Sequence, residues 1–160
     1  NTVPGGGMSS RLFQEIRERR GHAYSVYSFL SSYRDAGYLG IYVGTSAQWV
    51  EEVVTVIAGE LDALARDGLR ADELARAKTQ LKGNMLLGLE TSDSRMSRVA
   101  KNEVYFGRDV SLADLRPPTA RVPNEHITAR PTRLARPEGR AVVLLGDLAG
   151  RRLDPSILAA

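Results

Sequence analysis

Apolar positions recur along this 160-residue chain with two periods, one helical and one of strict alternation. Leu12, Phe13 and Ile16 give the charged stretch after Ser9-Ser10 one apolar helical face. Ser9 or Ser10 is placed to cap that helix through its hydroxyl. Residues 25–33 alternate imperfectly and are rich in strand formers. Tyr38 to Val43 alternate cleanly, with Leu39, Ile41 and Val43 on one side and Tyr38, Gly40 and Tyr42 on the other. Arg34-Asp35-Ala36-Gly37 lies between the two runs as a turn, so the pair reads as an antiparallel hairpin. Gly40 between two tyrosines predicts a shallow groove on that face.

Helical spacing returns after Thr45-Ser46-Ala47-Gln48, which has the form of a capping box. Val50, Val53, Val54, Ile57, Leu61 and Leu64 share one face, and Gly68 ends the helix. A second helix starts near Ala71, with Leu74, Ala77, Leu81 and Met85 along one side. Gly83 and Gly88 within it predict close approach of another backbone. A third runs from about Ser94 to Phe106, with Gly107 as its C-cap. Beyond it, Ser111 to Leu115 begins like a capped helix and meets Pro117-Pro118. Asn124 to Ala135 has helical content around Pro131, which costs about 3 kcal/mol in a helix interior. Arg140 to Gly146 is an apolar run of strand length, expected to be buried on both faces. Residues 151–160 are expected to fray. The order of elements predicts an α+β fold, an antiparallel or mixed sheet with helices packed on one face. Residues 1–150 are read as a single domain.

Composition narrows the function classes. Apolar residues make up 42% and charged residues 26%, as in soluble globular domains. No apolar run reaches membrane-spanning length, so no membrane partner is expected. No signal peptide is visible, which favours a cytoplasmic location. The net charge is +3, and the basic residues are interspersed with acids. Arg17-Glu18-Arg19-Arg20 is the densest basic cluster, and without interleaved aromatics it reads as a solvated helix face, not a nucleic-acid site. Cysteine is absent, which removes disulfides, thiolate nucleophiles and cysteine metal sites. Ser92 and Ser94 have no base nearby in sequence, so serine hydrolysis is not indicated.

Candidate chemistry concentrates near the start. Gly5-Gly6-Gly7 lets the backbone approach a ligand closely. No Lys-Ser or Lys-Thr follows, so it is not a P-loop. Arg17 and Tyr24, seven residues apart, are the polar groups that could converge with that loop on an anion or a carbonyl. The plainer alternatives are a flexible connection for the glycines, an ion pair with Glu15 or Glu18 for Arg17, and a rim aromatic for Tyr24.

The order of several segments resembles the C-terminal half of the pitrilysin/insulinase-type zinc metallopeptidases, the group that includes mitochondrial processing peptidase. The segments are Gly5 to Arg17 running on to Ser25, Asp35 to Tyr38 with Gly40 to Thr45, Glu73 to Gly83, Leu87 to Arg98, and Glu103 to Arg108. The resemblance implies the same α+β layout, with a first strand and helix lying before Asn1. It implies a peptidase in two homologous halves. One half, or a partner subunit, carries zinc on a His-x-x-Glu-His helix. The other supplies a glycine loop and an Arg/Tyr pair that reach the peptide substrate. By position, Arg17 and Tyr24 match that pair and would be the catalytic residues, and Gly5, Gly6 and Gly7 the substrate-binding loop. This chain has only His22 and His126, neither in a His-x-x-Glu-His pattern, so zinc is expected in the parent assembly and no metal on this chain. His22 stands where the family usually has leucine and is read as a rim histidine. Pro4, Pro117, Pro118, Pro131 and Asp147 depart from the family pattern. The alternative within the same family is a non-catalytic structural or interaction subunit.

Overall fold

The structure, a computed structural model, describes residues 1–111, 114, 136–148 and 150–158. The helix expected over Asn124 to Ala135, and His126 with it, lies outside the described residues. The chain divides into two compact units. One holds residues 1–69 with the described residues from 136 onward, and the other holds residues 70–111 with 114.

The first unit is built on a hairpin. Strand β1 (Ala23–Ser32) pairs antiparallel with β2 (Gly37–Thr45), and Tyr33 N–H closes the turn on Ala36 C=O at 2.8 Å. The alternation read from the sequence holds: Val26 opposes Val43, and Ser28 opposes Ile41 on the inward face. Against that face pack a short turn, α1 (Thr2–Gly5), a π-helix (Phe13–Arg19), and the long helix α2 (Val50–Asp67). Leu12 and Ile16 are fully buried and join Ala23, Val26 and Val53 in one core, with Ile41, Val43, Trp49, Val56 and Ile57 around it. Burying a leucine or isoleucine side chain contributes about 1.5–3 kcal/mol, so these two residues anchor the π-helix on the hairpin.

Several local expectations are corrected. No hydroxyl caps the first helix: Ser10 is buried and its Oγ has no partner among the described residues, while its C=O accepts from Gln14 N–H at 3.1 Å. That helix then widens into π winding, and ends where Gly21 takes φ +65° and donates to Arg17 C=O. Ser46 does not cap α2 through its side chain; a 3-10 turn (Ala47–Trp49) leads into the helix instead. The groove predicted at Gly40 is filled, because the Phe29 ring lies across it from the opposite strand. A Cβ on Gly40 would come within 2.3 Å of that ring. Gly68, at φ +71°, ends α2 as predicted. Arg11 ties the two helices of this layer together, donating to Gly68 C=O at 3.1 Å and pairing with Glu60 at 3.8 Å.

Arg140 to Gly146 form no strand. A strand needs a hydrogen-bonding neighbour, and among the described residues β1 and β2 pair only with each other. Leu145 is 99% exposed, the opposite of the burial expected for it. Arg140 itself is held in place by an ion pair with Asp62 of α2 and a 3.0 Å hydrogen bond to Leu158 C=O. That bond engages the 3-10 turn Pro155–Leu158, which packs on α2.

The second unit contains α3 (Ala71–Leu87) and α4 (Ser92–Phe106). Glu73 reaches back to the Arg70 N–H at 3.0 Å and so satisfies a donor at the start of α3. Thr91 Oγ1 accepts from Ser94 N–H at 3.2 Å to start α4, and Gly107, at φ +61°, ends it as predicted. Asn102 is buried and donates to Asp109 and to Val110 C=O, which folds the following loop back on the helix. Ser111 and Asp114 exchange hydrogen bonds of 2.9 and 3.2 Å, the capped start expected there. The Ser111 hydroxyl, donating to the Asp114 carboxylate at 2.8 Å, and then the Ser111 N–H hold that carboxyl below its ordinary pKa. Gly83 is not the close-packed position expected, since nothing would meet a Cβ there within 4 Å.

The two glycines give opposite predictions. A Cβ on Gly5 would stand 2.6 Å from Ser28 Oγ and 2.7 Å from its backbone nitrogen. Gly5→Ala is expected to lower stability by about 1–3 kcal/mol through overpacking. Gly83→Ala is expected to raise it by about 1 kcal/mol through helix propensity. Denaturant midpoints of the purified variants read both. Equal and small shifts would contradict the packing described for Gly5.

Candidate functional site

A bulge positions the most exposed functional candidate. Ala23 pairs with Thr45 and Ser25 with Gly44, so Tyr24 is an extra residue with no partner on β2. In an unbroken strand Tyr24 would share the face of Val26 and enter the core. The extra residue shifts the alternation, so Ala23 and Val26 both point inward and Tyr24 is turned out, 87% exposed. The bulge is steadied beside it, where Thr45 Oγ1 donates to His22 C=O.

Arg17 comes to Tyr24 from the π-helix. Its guanidinium carbon lies 5.8 Å from the centre of the Tyr24 ring and 5.0 Å from that of Phe13. Both separations are within cation–π range, worth about 0.5–1 kcal/mol each at exposed sites. Phe13 and Arg17 are four residues apart, the spacing at which helical side chains meet. Phe13, read from the sequence only as part of the helix's apolar face, thus supports Arg17 while Leu12 and Ile16 fill the core.

Two acids of this region are committed elsewhere. Glu15 pairs with Arg19 and, at 2.9 Å, with Arg20. Glu52 pairs with Arg20 at 3.5 Å and with His22 Nε2 at 3.1 Å. Neither Glu15 nor Glu18 pairs with Arg17, whose guanidinium keeps its hydrogen-bond donors free among the described residues. The Tyr24 hydroxyl is likewise without a partner among them. The pair therefore presents several N–H donors and one O–H donor from adjoining positions, the donor set that binds a carbonyl, carboxylate or oxyanion.

The three glycines are placed differently. Gly5 is buried in α1 against Ser28, Gly6 is exposed, and Gly7 is partly exposed. A Cβ on Gly6 would fall 2.5 Å from Thr2 Cα, so this glycine too answers a packing need. Ser28 lies four residues along β1 from Tyr24, a separation of about 13 Å at strand rise. The structure brings Arg17 and Tyr24 together and holds Gly5 farther along the same strand. His22 is a rim residue, stacked on Trp49 with ring centres 4.0 Å apart and engaged with Glu52. Among the described residues no three His, Asp or Glu side chains converge where they could hold a metal ion. No helix among them is long and apolar enough to cross a membrane.

Comparisons with known proteins agree with this layout. The family described as peptidase M16 inactive domain matches residues 1–81. An uncharacterised zinc protease of Streptomyces coelicolor is 41% identical over 159 residues, covering 98% of this chain and 35% of that protein. One from Bacillus subtilis is 48% identical over 115 residues, covering 72% of this chain and 28% of that protein. The chain thus spans about a third of the length of these relatives. A solved peptidase M16 inactive domain from Pseudomonas fluorescens superposes with a TM-score of 0.70 at 24% identity, over 83% of this chain and 32% of that one. A conserved protein from Enterococcus faecalis gives 0.71 at 22% identity, over 83% and 31%. At these identities the two solved structures speak for the fold alone. With half of its length matched by the family and its α+β hairpin layout shared with a solved member, the chain belongs to the peptidase M16 inactive domains.

Proposed function

We propose that this chain is the substrate-holding and transition-state-stabilising part of a two-half zinc-dependent peptidase whose zinc is carried by another, homologous domain or subunit. The observation that carries the reading is the placement of Arg17 and Tyr24, adjoining, exposed and with their donors free among the described residues. The relatives' name, zinc protease, supplies the reaction class. The described residues offer no cluster that fits zinc, and the residues given roles below act on the substrate.

In this reading the zinc supplied elsewhere provides the water-activating chemistry. Tyr24 donates its O–H to the substrate carbonyl oxygen as that oxygen gains negative charge. Arg17 donates to a neighbouring peptide carbonyl or carboxylate and adds a positive charge nearby. Such donors act in the transition state more than in the ground state, because the oxygen's charge develops as the bond is attacked. Phe13 limits the freedom of the Arg17 side chain before substrate arrives. Of the three glycines, Gly6 and Gly7 are the part of the loop open to a substrate backbone, while Gly5 is buried against Ser28.

The name inactive domain favours a second reading, a structural or interaction subunit with no part in turnover. One substitution separates the two. In the full-length protein, Tyr24→Phe is expected to lower kcat about 100-fold or more with zinc content unchanged, the loss typical of one oxyanion donor. Peptide hydrolysis and bound zinc, measured on the same preparation, read it. Unchanged hydrolysis would remove Tyr24 from the mechanism and leave the structural reading.

A further inference from the structure

Little of the hairpin ladder is left to aim Tyr24. The bulge leaves it without a partner on β2, and upstream of it a single pair, Ala23 with Thr45, remains among the described residues. Both strands end at that pair, since β1 starts at Ala23 and β2 stops at Thr45. A bulge interrupts the ladder, and a lone terminal pair beyond it frays readily. Fraying there would abolish the bulge and let the Tyr24 side chain swing away from Arg17. Something outside the ladder has to hold this end.

We propose that His22 is a positioning residue for Tyr24, an inference that rests on reading Tyr24 as a donor to the substrate carbonyl and adds what aims it. His22 is the residue next upstream of the terminal pair. Its N–H donates to Ile16 C=O of the π-helix at 3.0 Å, and its C=O accepts from Thr45 Oγ1. Any residue could make these two backbone bonds, but the side chain adds two contacts of its own. The imidazole stacks on Trp49 with ring centres 4.0 Å apart and planes within 11°. Its Nε2 stands 3.1 Å from a Glu52 carboxylate oxygen, and the side chain is only 13% exposed. Trp49 belongs to the 3-10 turn that follows β2, and Glu52 to the first turn of α2. One residue therefore ties the end of the hairpin to the helix that carries Arg17 and to the start of α2. Glu52 also pairs with Arg20 at 3.5 Å, and Arg20 with Glu15 at 2.9 Å, so the acid keeps a partner when the imidazole is replaced. The stack on Trp49 is the contact that only a ring supplies. A hold of this kind acts on turnover more than on binding, because a donor moved by about 1 Å misses the oxygen on which charge develops.

The test is a cycle on the full-length, metal-loaded protein, with kcat and KM for peptide hydrolysis measured for His22→Ala, Tyr24→Phe and both. His22→Ala is expected to lower kcat about tenfold with KM unchanged. On the Tyr24→Phe background no hydroxyl is left to aim, so the same change should cost less than about twofold. His22→Phe, which keeps a ring on Trp49, should recover most of kcat. His22→Gln, polar and without a ring, carries the same expectation as alanine and replaces it in the cycle if the alanine variant does not fold. A histidine that merely stabilises the fold would cost the same factor on both backgrounds, and that result would overturn the inference. So would an unchanged kcat in His22→Ala, or no recovery in His22→Phe. The two readings fail separately. A loss at Tyr24 with none at His22 removes the positioning role alone, whereas an unchanged kcat in Tyr24→Phe removes the function proposed for Tyr24 and the positioning role with it.

Discussion

Ala23 and Val26 both face the core, although three steps along a regular strand would put them on opposite sides. The extra residue between Ala23 and Ser25 reconciles the two, and most of the site follows from it. Leu12 and Ile16 need Ala23 and Val26 beneath them to complete the core. Once both point inward, the residue between them in the bulge must leave, and Tyr24 enters solvent beside Arg17. Restoring the alternation would carry a phenol into a packed core. The constraint that closes the core is thus the one that exposes the candidate site.

The charged groups nearby are arranged around the same point. Glu15 and Glu52 engage Arg19, Arg20 and His22, which keeps two carboxylates from the Arg17 guanidinium. Phe13 lies under Arg17 at i,i+4 spacing while Leu12 and Ile16 keep their places in the core. A guanidinium resting on rings retains its outward N–H donors for a ligand, whereas one in an ion pair has spent them. Glu15, Arg19, Arg20 and Glu52 are paired with one another while Arg17 keeps its donors, which is coherent for a site that awaits an acceptor.

Much of this was legible in the sequence. Clean alternation from Tyr38 to Val43, the helical spacing of Val50 to Leu64, and glycines at 68 and 107 each depend on local rules, and each element formed where those rules put it. Arg17 and Tyr24 were legible as a pair from their spacing and their resemblance to the family. The failures are of another kind. Arg140 to Gly146 has the composition of a buried strand, but composition does not provide a neighbour to pair with. Gly40 read as a gap because the filling ring, Phe29, comes from the other strand. The bulge left no local signature, since it is set by which residues the core demands on both sides of Tyr24. Ser10 had a capping residue's chemistry, but burial took its hydroxyl away from the helix end.

The central claim is that Arg17 and Tyr24 act on one ligand from one site. A double-mutant cycle tests it most directly, with kcat/KM for peptide hydrolysis measured on the full-length protein carrying Arg17→Ala, Tyr24→Phe and both. The account predicts a coupling of about 1 kcal/mol or more, within the range for groups that share a partner. Losses that simply add, within about 0.3–0.5 kcal/mol, would place the two side chains on separate tasks and contradict it.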